Sequence, residues 1–142
     1  MQNQRAIKWA FWALLVICLV QALYIFISSP FRPDPSKVVS ATNVSGGGAV
    51  YELLYDTGGA TVADTYRYFL MEVQSSDEAV LEKSKKMEPF LVTKSGNAVR
   101  EVTGDKVKLK TNNTIYKFVN ISIFKLNGEI QIVRFELDAT VP

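Results

Sequence analysis

Two pairs of carboxylates stand beside predicted turns, and they are the residues whose type and spacing could support acid–base chemistry. Asp56 and Asp64 flank one turn, and Glu101 and Asp105 flank another. A glycosidase-like mechanism needs one carboxyl group as the acid and a second as the base or nucleophile, held several ångströms apart. Sequence spacing does not establish that separation, and carboxylates beside turns are common on protein surfaces.

The composition excludes the commonest nucleophilic and metal-dependent mechanisms. The chain has no histidine, which rules out Ser-His-Asp and Cys-His catalysis and histidine-ligated zinc. Its single cysteine, Cys18, lies in an apolar run, and Ser84-Lys85-Lys86-Met87 lacks the Ser-x-x-Lys spacing of a serine–lysine dyad. We therefore predict that the protein is not an enzyme and that it holds no cofactor and no metal.

The net charge of +2 comes from Arg5 and Lys8, because basic and acidic residues are equal in number over residues 30–142. A neutral domain argues against a nucleic-acid partner, which a basic stripe would normally contact. Residues 30–82 nevertheless carry a net charge of −5 and residues 83–142 a net charge of +5. The two halves either interleave and cancel, or they form a bipolar domain with an acidic face for a cationic partner.

An apolar run from Trp9 to Ile27 predicts a membrane span, because it has nineteen residues and no formal charge. At about 1.5 Å per residue, such a helix crosses a hydrocarbon core of roughly 30 Å. Arg5 and Lys8 before the run favour a cytoplasmic N-terminus. A cleaved signal peptide and a lipoprotein are the alternatives, but no small-x-small site closes the run and no lipobox precedes Cys18.

One stripe of the predicted span carries small residues and its only amide. Its members are Ala6, Ala10, Ala13, Ile17 and Gln21. Small residues with a polar group are typical of helix–helix contacts in membranes. The alternative is a plain anchor in which this amide is tolerated.

The rest of the chain predicts an α+β protein: one N-terminal transmembrane helix, then a small, mainly antiparallel β domain with one short helix. The predicted segments are a cytoplasmic head at 1–8, the transmembrane helix at 9–29, a Pro/Gly linker at 30–48 and a folded domain at 49–142. The linker assignment rests on three prolines and on the glycine run at residues 46–48.

Local patterns place the elements of the domain. Apolar alternation predicts a first hairpin whose second strand, within residues 60–73, is covered on both faces and central to a sheet. Ser75 and Glu78 have the spacing of a helix capping box, and Pro89 marks the end of that helix. Asn127-Gly128 predicts a type I′ turn in a last hairpin.

That last hairpin has strands predicted at 115–125 and 129–137. Near the turn, Ile121 and Ile123 are expected to face Ile130 and Ile132. Farther from the turn, Tyr116 and Phe118 are expected to lie across from Leu137 and beside Phe135. The apolar phase shifts in both arms, which predicts a bulge or a ribbon buried on both faces at different heights.

Aromatic and charged residues cluster around the first predicted hairpin. Tyr and Arg often carry the binding energy of protein interfaces, so the cluster predicts a protein-binding surface. Its members are Tyr51, Tyr55, Asp56, Asp64, Tyr66, Arg67 and Tyr68. The alternative is that these tyrosines cover the sheet and point their hydroxyl groups to water.

The N-terminal anchor, with the run Gly58-Gly59-Ala60-Thr61 leading into Tyr66-Arg67-Tyr68-Phe69-Leu70, resembles small single-pass envelope proteins of Gram-negative bacteria. Some proteins of this build are immunity factors held in the inner membrane against toxins delivered by contact-dependent or type VI secretion. The resemblance implies an inner-membrane protein with a periplasmic C-terminal domain that neutralises a toxin. The alternative function is that of a structural or accessory subunit of an envelope complex. No residue-level role follows from the resemblance.

Overall fold

The computed structural model describes residues 3–27, 33–56 and 64–140. The chain divides into two compact units, with the boundary between Arg32 and Pro33. The predicted turn at residues 57–59 and the run Gly58-Gly59-Ala60-Thr61 lie outside the described residues, as do residues 28–29 of the predicted span. We call the second unit the β domain.

The first unit contains one helix, α1, at Asn3–Ile27. Its segment Ala6–Phe26 has a mean hydropathy of 2.2 and is long and apolar enough to span a membrane. The helix begins before Trp9, so the described part of the predicted head is continuous with the span rather than a separate segment. This N-terminal apolar helix confirms the first element of the predicted fold.

The β domain is built on two sheets and one short helix, and its pairing is mainly antiparallel as predicted. The first sheet has the order β1-β2-β3-β4-β7, all antiparallel, and the second has the order β5-β6-β9-β8. The strands are β1 Lys37–Val44, β2 Gly48–Tyr55, β3 Thr65–Glu72, β4 Leu91–Thr93, β5 Val99–Thr103, β6 Lys106–Thr111, β7 Ile115–Phe118, β8 Ile121–Leu126 and β9 Glu129–Ala139. Only β6 and β9 pair in parallel among these strands.

Strand β3 is central to the first sheet, with β2 on one side and β4 on the other. Residues 68–71 of β3 are all buried, which covers both of its faces. This confirms the prediction from its continuous apolar pattern, since a strand buried on both faces shows no polar alternation.

Strand β1, Lys37–Val44, lies within the segment predicted as a linker. It pairs with β2 from Lys37↔Leu54 to Val44↔Gly48. A 3₁₀ turn joins the two strands, and Gly46 and Gly47 in it have φ of 77° and 75°. The glycine run therefore serves a tight turn with left-handed backbone, not a loose spacer. The folded part of the chain begins before Ala49.

The turn of the last hairpin has the predicted geometry. Asn127 and Gly128 have φ of 51° and 86°, as both central positions of a type I′ turn require. Ile123 pairs with Ile132 across the ladder, as predicted, whereas Ile121 lies opposite Arg134 and Ile130 opposite Lys125.

The arms of that hairpin differ from the prediction farther from the turn. The chain leaves one sheet and enters the other at Val119–Asn120, so β7 pairs with β4 and not with β9. Tyr116 and Phe118 therefore do not lie across from Leu137. The phase shift in the sequence marks this change of sheet rather than a bulge.

Helix α2, Asp77–Ser84, covers the outer face of the first sheet. Its N-cap is Ser76, whose hydroxyl oxygen accepts a hydrogen bond from the Ala79 N–H, and not Ser75 as the capping-box spacing suggested. The domain thus has three layers: second sheet, first sheet and helix. One apolar core fills the space between the sheets, and a second lies between the first sheet and α2.

Candidate functional site

The predicted tyrosine surface is not a surface. Tyr51, Tyr55 and Tyr68 are 4%, 3% and 0% exposed. Tyr51 and Tyr55 face α2, whereas Tyr68 and the half-buried Tyr66 face the second sheet. Side chains alternate between the two faces of a strand, so the four rings cannot share one binding surface.

The buried hydroxyl groups are bonded within the protein and do not point to water. The Tyr51 hydroxyl accepts from the Gln74 N–H at 2.9 Å. The Tyr68 hydroxyl donates to the Ser95 carbonyl at 3.1 Å and accepts from the Ala98 N–H at 3.0 Å. Burial raises the pKa of Tyr68 well above its ordinary value, although the Ala98 hydrogen bond opposes this. These tyrosines are structural.

The charged residues of the predicted cluster, Arg67, Asp56 and Asp64, differ in their contacts and exposure. The Arg67 guanidinium lies 4.0 Å from the centroid of the Tyr55 ring, a cation–π contact, and its Nε is buried without a hydrogen-bond partner in the described structure. Asp56 and Asp64 are exposed at the two ends of the gap between described residues. The Asp56 N–H donates to the Ser36 hydroxyl oxygen at 3.0 Å.

Glu101, in the second candidate carboxylate pair, does not have the chemistry of a general acid. Glu101 is bonded to the Lys108 ammonium at 2.8 Å. That hydrogen bond and the charge of the ammonium hold the pKa of Glu101 below its usual range, whereas a general acid needs a raised pKa. Over the described ranges, no three histidine, cysteine or acidic side chains come together as a metal site.

Glu52 is a buried carboxylate that sequence patterns did not single out. It is 1% exposed and lies between the sheets. Its Oε1 accepts from the Asn97 N–H at 2.8 Å, and its Oε2 accepts from the Ser40 hydroxyl at 3.1 Å. Both oxygens are thus engaged: the bond from Asn97 fastens the loop before β5 to the first sheet, and the bond from Ser40 comes from the neighbouring strand β1. The group is a structural clamp between distant segments.

Four isoleucines on the outer side of β8 and β9 form an exposed apolar cluster on the described surface of the β domain. We call this surface the isoleucine face: Ile121, Ile123, Ile130 and Ile132, with exposed fractions of 47%, 55%, 59% and 53%. The opposite side of the same strands points Phe124 and Val133 into the core. A sheet face turned to water normally carries polar side chains, so this apolar outer face is a candidate binding surface.

The charged side chains on this outer side form two groups, one ion-paired and one not. Away from the isoleucines it is neutralised by cross-strand ion pairs, namely Glu101–Lys108 at 2.8 Å, Lys110–Asp138 at 3.4 Å and Lys106–Glu136 at 4.0 Å. Beside the isoleucines stand two cations, Lys125 opposite Ile130 and Arg134 opposite Ile121. Neither cation has an ion-pair partner among the residues that the structure describes.

No family model, curated protein or solved structure matches this chain. The function is therefore argued from the chain's own geometry.

The isoleucine face can bind but has no reactive group. It offers apolar side chains at the centre and one cation at each end, a combination that suits a surface with apolar and acidic groups. The alternation in Ile121-Ser122-Ile123 and Ile130-Gln131-Ile132 was the signal in the sequence. That alternation was interpreted as a bulge or as a ribbon buried on both faces, and not as an exposed apolar face.

The predicted helix–helix stripe lies on α1. Ala6, Ala10, Ala13, Ile17 and Gln21 are all exposed on this helix. Their use as a contact with another span stays a prediction.

Proposed function

We propose that the protein is a membrane-anchored periplasmic protein-binding module that meets its partner through the isoleucine face. Exposure of these four side chains on a well-packed domain carries the proposal. Covering the exposed halves of four isoleucines contributes roughly 3–6 kcal/mol before the cost of association. An exposed apolar surface of this kind lowers the solubility of a protein unless a partner covers it.

In this proposal α1 is an uncleaved anchor in the bacterial inner membrane, with the N-terminus in the cytoplasm. The apolar helix and the positive residues Arg5 and Lys8 before its apolar centre support this orientation. We expect alkaline phosphatase fused to the C-terminus to be active and β-galactosidase fused there to be inactive. Since the phosphatase folds only outside the cytoplasm, the reverse result would overturn the periplasmic assignment.

The partner proposed is a toxin delivered by neighbouring cells, so that the protein acts as an immunity protein. The build of the chain and its resemblance to anchored envelope proteins support this choice. The alternative is an accessory subunit of an envelope complex, which the stripe of Ala6, Ala10, Ala13 and Gln21 on α1 favours.

A competition assay tests the immunity function. Cells that lack the gene are expected to be killed by sibling cells that deliver the toxin, and the full chain should restore survival. Ile132→Glu should abolish the protection because it places a charge in the apolar contact. Lys108→Gln, on the ion-paired part of the same sheet face, is the matched control and should protect fully.

The same assay separates the two candidate functions. Replacing residues 9–27 by polyleucine keeps the anchor and removes every member of the small-residue stripe except Ala6. An immunity protein survives this change, whereas a subunit packed on another span does not. Unchanged survival on deleting the gene contradicts the immunity function.

A further inference from the structure

The isoleucine face continues to an edge of the second sheet, because β8 is the last strand of that sheet. The Asn120 carbonyl accepts from the Phe135 N–H at 2.7 Å, which makes that pair a hydrogen-bonded one. The register then runs without a shift from Ile121↔Arg134 to Leu126↔Glu129. Since bonded and non-bonded pairs alternate in an antiparallel ladder, residues 122, 124 and 126 bond to β9.

The other residues of β8 therefore direct their backbone groups away from the sheet. These are Ile121, Ile123 and Lys125, the same residues whose side chains lie on the outer side. Their N–H and C=O groups form a row of donors and acceptors at the edge. These three positions thus offer backbone pairing together with side-chain contact, which is apolar at Ile121 and Ile123 and cationic at Lys125.

The remaining sheet edges are blunted. Strand β1 has a register shift between Val38 and Ser40, and β5 has one between Val99 and Glu101. Strand β7 is four residues long, and its pairing with β4 is also irregular. Bulges and short strands protect an edge against pairing. Strand β8, with six residues in regular register, is the described edge best suited to accept another strand.

We propose that β8 accepts an extended segment of the partner as a fifth strand of the second sheet. The segment carries apolar side chains at alternate positions, which lie beside Ile121 and Ile123. Carboxylates towards its ends meet the cations at the two ends of the face, Lys125 and Arg134. This inference rests on the proposed function and names the way in which the partner is held.

Charge and backbone pairing select this occupant over two others. A second copy would bring more cations to the face, and β8 itself, Ile-Ser-Ile-Phe-Lys-Leu, has no carboxylate to receive them. A lipid surface could cover the isoleucines, but it would not supply the alternating donors and acceptors that the edge requires. A strand with apolar and acidic side chains complements the isoleucines, the two cations and the backbone groups of the edge.

The test uses the full chain in detergent micelles and a fluorescent synthetic peptide of alternating valine and threonine with glutamate at both ends. We expect saturable binding by anisotropy. A peptide with lysine ends should bind roughly tenfold more weakly. A peptide N-methylated at every amide should not bind, because neither of its edges can donate hydrogen bonds to β8. Equal binding of all three peptides, or of none, overturns the inference.

Variants of β8 provide the matched comparison. Ile123→Pro removes an outward N–H and leaves the ladder with β9 intact, whereas Ile123→Thr keeps that N–H in a β-branched residue. We expect the proline variant to lose peptide binding by roughly tenfold or more relative to the threonine variant. Circular dichroism checks that both variants fold. If the proline variant does not fold, the comparison of the three peptides with the unchanged chain still tests the inference.

The outcomes also separate this inference from the proposed function. Loss of protection with Ile132→Glu but not with Ile123→Pro means that the face binds a partner without strand addition, which overturns only the inference. Protection by both variants overturns the isoleucine face itself. A dimer in light scattering that Ile123→Pro dissolves assigns the edge to a second copy, and peptide binding that is lost in anionic nanodiscs assigns the face to lipid; each result overturns the inference.

Discussion

Replacing Glu52 with alanine is expected to lower the free energy of unfolding by about 3 kcal/mol. The substitution removes the acceptor of the Asn97 N–H and of the Ser40 hydroxyl, and it leaves a gap between the sheets. Ser40 is exposed and can bond to water instead, so the loss falls mainly on the loop before β5. Equilibrium urea unfolding of the full chain in detergent, followed by the β signal in circular dichroism, measures the difference.

Glu52→Gln is the matched control. The amide oxygen can still accept from the Asn97 N–H, so we expect a loss of about 1 kcal/mol, from exchanging a charged acceptor for a neutral one. If alanine and glutamine cost the same, the hydrogen bond to Asn97 is not what Glu52 contributes. If alanine costs nothing, the carboxylate is not a clamp.

Those features of the fold that depend on local chemistry could be predicted from the sequence. The apolar run that forms α1 needs no tertiary partner to be recognised. Asn127-Gly128 encodes its turn because both residues tolerate positive φ. The central position of β3 followed from a run that is apolar on both faces.

Features that depend on distant partners could not be predicted. Strand β1 has few buried side chains because it lies at an edge, so its sequence resembles a polar linker, and only pairing with β2 makes it a strand. Glu52 lies between apolar residues in the sequence, a pattern that is typical of an exposed position in a strand. Its burial depends on Asn97, which lies 45 residues away in the chain.

The tyrosine cluster was predicted to be a surface, and not a core, for a related reason. Tyrosine at positions 51, 55, 66 and 68 is compatible with both a binding surface and a core, since its ring is apolar and its hydroxyl needs only one partner. The backbone groups of Gln74, Ser95 and Ala98 supply those partners from outside the hairpin. Once these rings are inside, half of the exposed large apolar side chains of the described β domain lie on β8 and β9.

Replacing Phe135 with alanine is expected to cost about 3–5 kcal/mol of the free energy of unfolding. Phe135 is 3% exposed on β9, the strand that pairs with both β6 and β8. Its ring stacks on Phe90 with centroids 3.8 Å apart and planes within 10°. Removing it leaves a cavity between the sheets and takes away an aromatic contact from the residue that leads into β4. Urea unfolding of the full chain in detergent measures this loss.

Ile132→Ala, three residues earlier on the same strand, is the control that connects this core to the proposed surface. Its side chain is 53% exposed, so we expect a cost below about 1 kcal/mol. A large difference between the two variants means that β9 is held by its inner side while its isoleucines remain available for a partner. Equal losses would mean that the isoleucine face is needed for folding, and its exposure would no longer be an argument for binding.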